Sequence, residues 1–341
     1  MKRWLRALAP LAMGGLLLGL ASCEGDEGPA GPPGTVECMN CHTDDFHMAN
    51  YLRPKQDQFA VSRHNLSDTY VRRGTDASPV CSRCHTTEGF QHYVATGETL
   101  ALEGSSHISC FACHAPHTNG DFSQRVTDPV VMNHGTTYNK GLSNTCAVCH
   151  QSRLTEPPID SPDPITSSRW GPHYAPQANI LTGQGAYAFA GAAYETDAAH
   201  NIGNTNGCVT CHMADLPDNL IAGGHSFAIN YETSSGVRVN SKGCTCHGWA
   251  TDAVATTETD TYQAEFEEEL DVLGDMLVAR GWLKADREYA TNGATAPATA
   301  DARGAVFNFL ILHHDKSMGV HNKKYAESVV AGTKAWLEAH P

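Results

Sequence analysis

Twelve of the 13 cysteines in this 341-residue chain fall in six close pairs, and a histidine follows each pair at once. Five pairs read C-x-x-C-H: Cys38/Cys41/His42, Cys81/Cys84/His85, Cys110/Cys113/His114, Cys146/Cys149/His150 and Cys208/Cys211/His212. The sixth, Cys244/Cys246/His247, is one residue shorter. Two thiols at this spacing can add across the two vinyl groups of a porphyrin as thioethers, and the next residue, His, is then held against the iron as its proximal ligand. Disulfides are open to an exported chain, and paired C-x-x-C can bind Zn²⁺. Neither demands a His directly after every second Cys. With 19 His in 341 residues, five of five by chance is on the order of 5 × 10⁻⁷. The pattern predicts haem c at six places. At the contracted motif the missing residue strains a double attachment, so one of Cys244 and Cys246 could link alone.

Six proximal histidines leave 13 others: His47, His64, His92, His107, His117, His134, His173, His200, His225, His313, His314, His321 and His340. That is more than twice the six needed to give every iron a second imidazole. Met48 or Met132 could substitute and would raise the potential, but with so many histidines at hand bis-His ligation is the expectation.

The elements that must position these groups are short. The motifs start 43, 29, 36, 62 and 36 residues apart, an irregular series that is no strict repeat. Six large apolar macrocycles in so short a chain must lie close together. Aromatics are 8% of the chain, and 31 Gly with 17 Pro suit one large aliphatic core poorly; covalently fixed haems would supply much of the buried apolar bulk. The fold class expected is mainly α and irregular, organised around packed haems, with short helices at the motifs, long loops, little β and a helical C-terminal region. In that region Tyr262, Phe266, Leu270, Leu273 and Leu277 form a helical stripe over 261–280, with Asp260 and Gln263 as an N-cap box and Gly281 as the stop. A second helix is expected over 301–314 with Val306, Phe309 and Leu310 on one side. A third is expected over 322–339 with Tyr325, Val329 and Trp336, and 294–300 reads as a linker.

Residues 1–22 read as an export signal, with Lys2, Arg3 and Arg6 before an apolar run that ends in Leu20-Ala21-Ser22-Cys23. A small residue before Cys at this place resembles the lipobox of bacterial lipoproteins, in which that Cys becomes the acylated N-terminus; the alternative is an ordinary signal peptide with an incidental Cys. Acyl chains hold a protein on a bilayer at about 0.8 kcal/mol per buried CH₂, and no other run approaches the roughly 18 apolar residues of a span. The next segment, 25–34, has a short Gly-X-Y pattern and reads as an extended spacer. The organisation expected is therefore a lipoprotein signal over 1–22, acylated Cys23 with its spacer to 36, a multihaem region over 37–250, and a helical region over 251–341 packed on the haems. Losing the three cations of the signal takes the net charge from −14 to −17. Such an acidic chain lacks the basic patch of a nucleic-acid binder.

Several stretches resemble the nitrite-reductase-related multihaem cytochromes c and the hexahaem outer-membrane cytochromes of metal-reducing bacteria. Q-F-A-V-S-R-H over 58–64 is similar to a ligand loop that precedes a motif, and C-S-R-C-H over 81–85 runs into T-T-E-G-F. C-F-A-C-H-A-P-H over 110–117 is the doubled motif whose second His ligates another haem. W-G-P-H-Y-A-P-Q over 170–177, His200 upstream of Cys208, G-G-H-S-F over 223–227 and D-K-S-M-G-V-H-N over 315–322 complete the likeness. The resemblance selects His64, His117, His173, His200, His225 and His321 as distal ligands, with His107, His134 and His47 in reserve. His313 and His314 read as packing or surface residues, His92 and His340 as surface. It implies electron transfer through bis-His haems at the outer membrane or cell exterior, with other cytochromes, a porin-type conduit or an extracellular metal oxide as partners. One alternative is a multihaem reductase of nitrite or another small oxyanion, although the C-x-x-C-K motif of the pentahaem nitrite reductases is missing. Another is a subunit of a haem filament, with His47 reaching an iron of the next copy.

Overall fold

The computed structural model describes residues 52–68, 79–119, 121–153, 158–167, 170–196, 199–216, 219–289 and 297–341. The export segment, Cys23, the spacer, His47 and the first motif, Cys38/Cys41/His42, lie outside the described residues.

Short helices and loops make up the part before residue 250. They are α1 (Arg53–Ala60), α2 (Arg63–Leu66), α3 (Pro79–His85), α4 (Thr87–Thr96), α5 (Cys110–Cys113), α6 (Pro116–Asn119), α7 (Asn144–Cys149), α8 (Gln177–Leu181), α9 (Ala199–Ile202) and α10 (Cys208–His212). Two antiparallel hairpins complete it. One joins β1 (Val130–Val131) to β2 (Thr137–Tyr138), and the other joins β3 (Asn230–Thr233) to β4 (Gly236–Val239) with Asn230 opposite Val239. The chain is mainly α with little strand, as expected. Side-chain cores here are small: Met132, Tyr138, Ala147, Ala178 and Leu181 form one, and Phe90, Ala112 and Val148 another.

The large core belongs to three long helices, α11 (Asp252–Ala279), α12 (Ala300–Asp315) and α13 (Lys323–Ala339). Each starts on a side-chain cap: the Thr251 hydroxyl accepts from the Val254 N–H, Thr299 from Ala302 and the Asn322 amide oxygen from Tyr325. The expected Asp260 cap is thus corrected. The cap lies nine residues earlier, at Thr251, because Ala255 and Thr256 already bury themselves and Thr256 donates to the Asp252 carbonyl. The stripe of Phe266, Leu270, Leu273 and Leu277 is buried as read, and Gly281 takes φ 71 just past the helix end. α12 departs from the one-sided expectation. From Ala302 to Leu312 every residue is buried, because α11, α13 and the strap bearing Ile165, Trp170 and Phe189 surround it. Buried Arg303 ties that strap down, donating to the carbonyls of Asp163 (2.8 Å) and Ser161. The strap leads directly to His173, so the helical region anchors part of the site.

Candidate functional site

Each described motif lies on its own turn of helix. α3 carries Cys81, Cys84 and His85, and α10 carries Cys208, Cys211 and His212; α5 and α7 carry the other two cysteine pairs, with His114 and His150 at their C-caps. The contracted motif lies instead on a 3₁₀ turn, Ser241–His247, within which Cys244 has non-helical dihedrals (φ −111°, ψ 25°). Four residues of α-helix at about 1.5 Å each and three of 3₁₀-helix at about 2.0 Å each both advance about 6 Å. A regular 3₁₀ turn would regain the axial separation between first Cys and His that the missing residue takes away, but here the chain kinks at Cys244 itself.

The structure brings each described motif histidine against one of the distal candidates. Ring centroids are 6.0 Å apart for His150 and His64, 6.3 Å for His85 and His173, 6.1 Å for His114 and His225, 5.8 Å for His247 and His200, and 6.2 Å for His212 and His321. Two imidazoles bound through Nε2 to opposite sides of one metal, at about 2 Å per bond, hold their centroids roughly 6 Å apart. All five separations match that value. Among the described residues no three of His, Cys, Asp and Glu converge on one point for a bare ion, and none of the ten described motif cysteines is in a disulfide. The sixth distal candidate, His117, lies on α6 with its ring 6.2 Å from that of Phe111.

Hydrogen bonds fix the tautomers. Nδ1 of His200 lies 2.7 Å from the Val320 carbonyl, that of His212 is 2.9 Å from the Phe227 carbonyl, and that of His150 is 3.1 Å from Gln177 Oε1. His114 Nδ1 is 3.4 Å from the Ser123 carbonyl, and His321 Nδ1 is 2.7 Å from Asp315 Oδ1. Each partner is an oxygen that accepts only, so each Nδ1 donates and leaves the Nε2 lone pair for a metal. Burial acts in the same direction. It pushes His64 down to about 4, helped by His150, and His225 down to about 4, helped by His114 and Lys55. His212 and His247 are lowered by the same cause. These rings are neutral donors at neutral pH.

The backbone around the ligands is constrained. Gly223 and Gly224 turn the chain into His225 with φ 66° and 49°, and a Cβ on Gly224 would run into the Gln58 amide. That amide accepts from the His225 N–H at 3.0 Å. His173 itself has φ 66°. The reserve His134 is spent on packing: Nδ1 is 3.0 Å from Asn179 Nδ2 and Nε2 is 2.8 Å from Thr136 Oγ1. Reserve His107 donates from Nδ1 to the Ile108 carbonyl at 2.7 Å. His313 stacks on Phe309 and His340 on Trp336, the packing and surface roles expected. His314 is buried against Tyr174, 4.2 Å between ring centroids, and burial lowers it to about 3.

The motifs also touch one another. The Cys149 thiol donates to the Arg83 carbonyl at 3.7 Å, and Cys113 and Cys149 pack on one small core with Ala112 and Val148. Cys208 packs on the core that holds Ala147, and the Cys211 thiol donates to the Gly243 carbonyl at 3.4 Å. The α7 motif is therefore a hub touched by α3, α5 and α10, and α10 leads on to the 3₁₀ motif.

Sequence reading missed the residues that orient the ligands: Gln58, Gln177 and Asp315. Each stood at one end of a stretch already singled out, 58–64, 170–177 or 315–322. A polar side chain bounding a ligand stretch was the available signal.

No family model matches the chain, and no curated protein matches it. Among solved structures, the crystal structure of the outer cell wall cytochrome OcwA is similar, with a TM-score of 0.53 and 18% identity over 83% of this chain and 50% of that one. This chain spans about half the length of that cytochrome, and its mainly α fold is a cytochrome fold.

Proposed function

We propose that this protein is a multihaem electron carrier. The observation that supports it best is the set of five imidazole pairs, each a motif His facing a second His at 5.8–6.3 Å. The five described cysteine pairs would hold haem c with His85, His114, His150, His212 and His247 as proximal ligands and His173, His225, His64, His321 and His200 opposite them. His117 remains the sixth distal candidate, while the first motif, Cys38, Cys41 and His42, lies outside the described residues. Haem c held between two histidines in this way would supply a one-electron couple suited to outer-sphere transfer, with potentials below those of Met/His cytochromes. The protein's part is to fix the rings, exclude water from them and pack neighbouring motifs against one another, so that electrons would pass among close-packed haems.

An exported, surface position agrees with the lipobox and spacer, and OcwA is itself named for the outer cell wall. In this reading Cys23 is acylated, the outer membrane is the anchor site, and the partners are other cytochromes, a membrane conduit or an extracellular metal acceptor. Among the described residues no helix is long and apolar enough to cross a membrane. A nitrite reductase would need one iron with an open face, and each described site has two imidazoles. Intact mass with a pyridine haemochrome assay and a low-temperature spectrum tests the proposal. Six haems, all low-spin, are expected; a substoichiometric carbon monoxide complex with nitrite turnover would replace the carrier by the enzyme.

A further inference from the structure

The end of α12 carries a charge that ligation does not require. Asp315 closes that helix with its side chain 1% exposed. Its Oδ1 accepts from His321 Nδ1 at 2.7 Å, and its other oxygen accepts from the Ser317 hydroxyl. A buried carboxylate is costly unless paired and hydrogen-bonded, and the turn that follows is shaped to pair it. Lys316, Met318 and Gly319 all take positive φ, at 63°, 46° and 82°, and a Cβ at Gly319 would come within 3.1 Å of the Phe266 ring. Non-glycine residues adopt this conformation only where the surroundings enforce it. The reward is a full charge placed behind one ligand. The other Nδ1 donors described above, on His114, His150, His200 and His212, meet neutral carbonyl or amide oxygens.

We propose that Asp315 is a positioning residue that lowers the potential of the His212/His321 haem, an inference that rests on the ligand assignment above. A carboxylate on Nδ1–H makes the imidazole a stronger donor, and a low-dielectric site strengthens that field, so the ferric iron is favoured over the ferrous. The couple is one electron onto ferric iron, supplied by an electrode or a chemical reductant; the carboxylate stays charged and no proton moves. This site stands between the α7 hub and the 3₁₀ motif by its contacts, Cys208 on the core that holds Ala147 and the Cys211 thiol on the Gly243 carbonyl. A low-potential haem there makes electrons dwell on either side of it rather than on it, which divides the network into a hub group and an exit group.

The test is a spectroelectrochemical titration of the full holoprotein, followed by electron paramagnetic resonance. Asp315→Asn keeps shape and an acceptor while removing charge. One component should become at least tenfold easier to reduce, about 59 mV for one electron, with the others unmoved and one low-spin signal displaced. Asp315→Glu should restore most of the shift. Ser317→Ala, which leaves the carboxylate charge undivided on His321, should shift the same component the opposite way; it serves where Asp315→Asn does not load haem. Unchanged potentials in the loaded variants would overturn the inference. His321→Ala separates the two layers. If it exposes no high-spin iron, the ligand assignment fails; if it does while the Asp315 and Ser317 variants shift nothing, only the inference about Asp315 fails.

Discussion

Replacing His321 by Ala removes one ring and strands one charge. Asp315 then keeps only the Ser317 hydroxyl on a side chain that is 1% exposed. Leaving a buried charge without its partner typically costs about 3–5 kcal/mol. The loss falls on the helical region, because Asp315 ends α12, His321 precedes the cap of α13, and Gln263 of α11 donates to the Ser317 carbonyl at 3.0 Å. Two readouts should therefore move together. One iron becomes high-spin and binds carbon monoxide, and residues 252–339 become more sensitive to protease. The double variant His321→Ala/Asp315→Asn isolates the charge. With no carboxylate left to strand, it should recover most of the lost stability while the iron stays open. Denaturant unfolding of the holoprotein followed by far-UV circular dichroism measures the difference. A double variant no more stable than His321→Ala would refute the buried-charge argument, and an absence of high-spin iron in both would remove His321 from the ligands.

Intact mass should show six haems; five would mean that Cys244 and Cys246 hold none, despite the 3₁₀ turn that carries them and His247. Cys23→Ser should release the mature protein from membranes into the soluble fraction, and unchanged detergent partitioning would remove the lipid anchor. Reduced protein should show no carbon monoxide shift in the Soret band and no turnover of nitrite or hydroxylamine. Its reduction of anionic ferric chelates should speed up as salt is added, because a net charge near −17 repels them until it is screened; a rate that falls with salt would point to a local basic docking patch.

The motif histidines were legible because covalent chemistry fixes their spacing, and the long helices because Phe266, Leu270, Leu273 and Leu277 repeat at the helical period. The start of α11 was not: Asp260 looks like a cap in sequence, yet it lies inside the helix, since Thr251 and the burial of Ala255 and Thr256 decide where winding begins. The pairing of distal with motif histidines was also closed to sequence. His64 and His150 are 86 positions apart and His114 and His225 are 111 apart, so only the packed chain sets which ring faces which. Asp315 illustrates the remaining gap. Its letter was in view beside His321, but its value depends on a turn with three left-handed residues, which no local pattern announces.

Two such turns explain how a chain with small side-chain cores before residue 250 can hold so many rings in place. The first, around 223–227, supplies His225 opposite His114, sets the Phe227 ring 5.0 Å from His64, and gives the Phe227 carbonyl to His212 Nδ1. The second, from Asp315 to His321, gives the Val320 carbonyl to His200 and the Asp315 carboxylate to His321. Its Asp315 carbonyl accepts at 3.2 Å from Gln177, whose Oε1 in turn accepts from His150. Each turn thus reaches three of the imidazole pairs with a handful of residues. Backbone carbonyls do much of the orienting, and they cost the sequence no dedicated side chain. The α7 site, with His150 and His64, is touched by both turns, as is the α10 site, with His212 and His321. These two motifs are also neighbours, since Cys208 packs on the core that holds Ala147. Ligand orientation and motif packing therefore converge on the same two neighbours, so in the proposed carrier the part of the network that the fold holds most firmly would be the junction between α3 and α5 on one side and the 3₁₀ motif on the other.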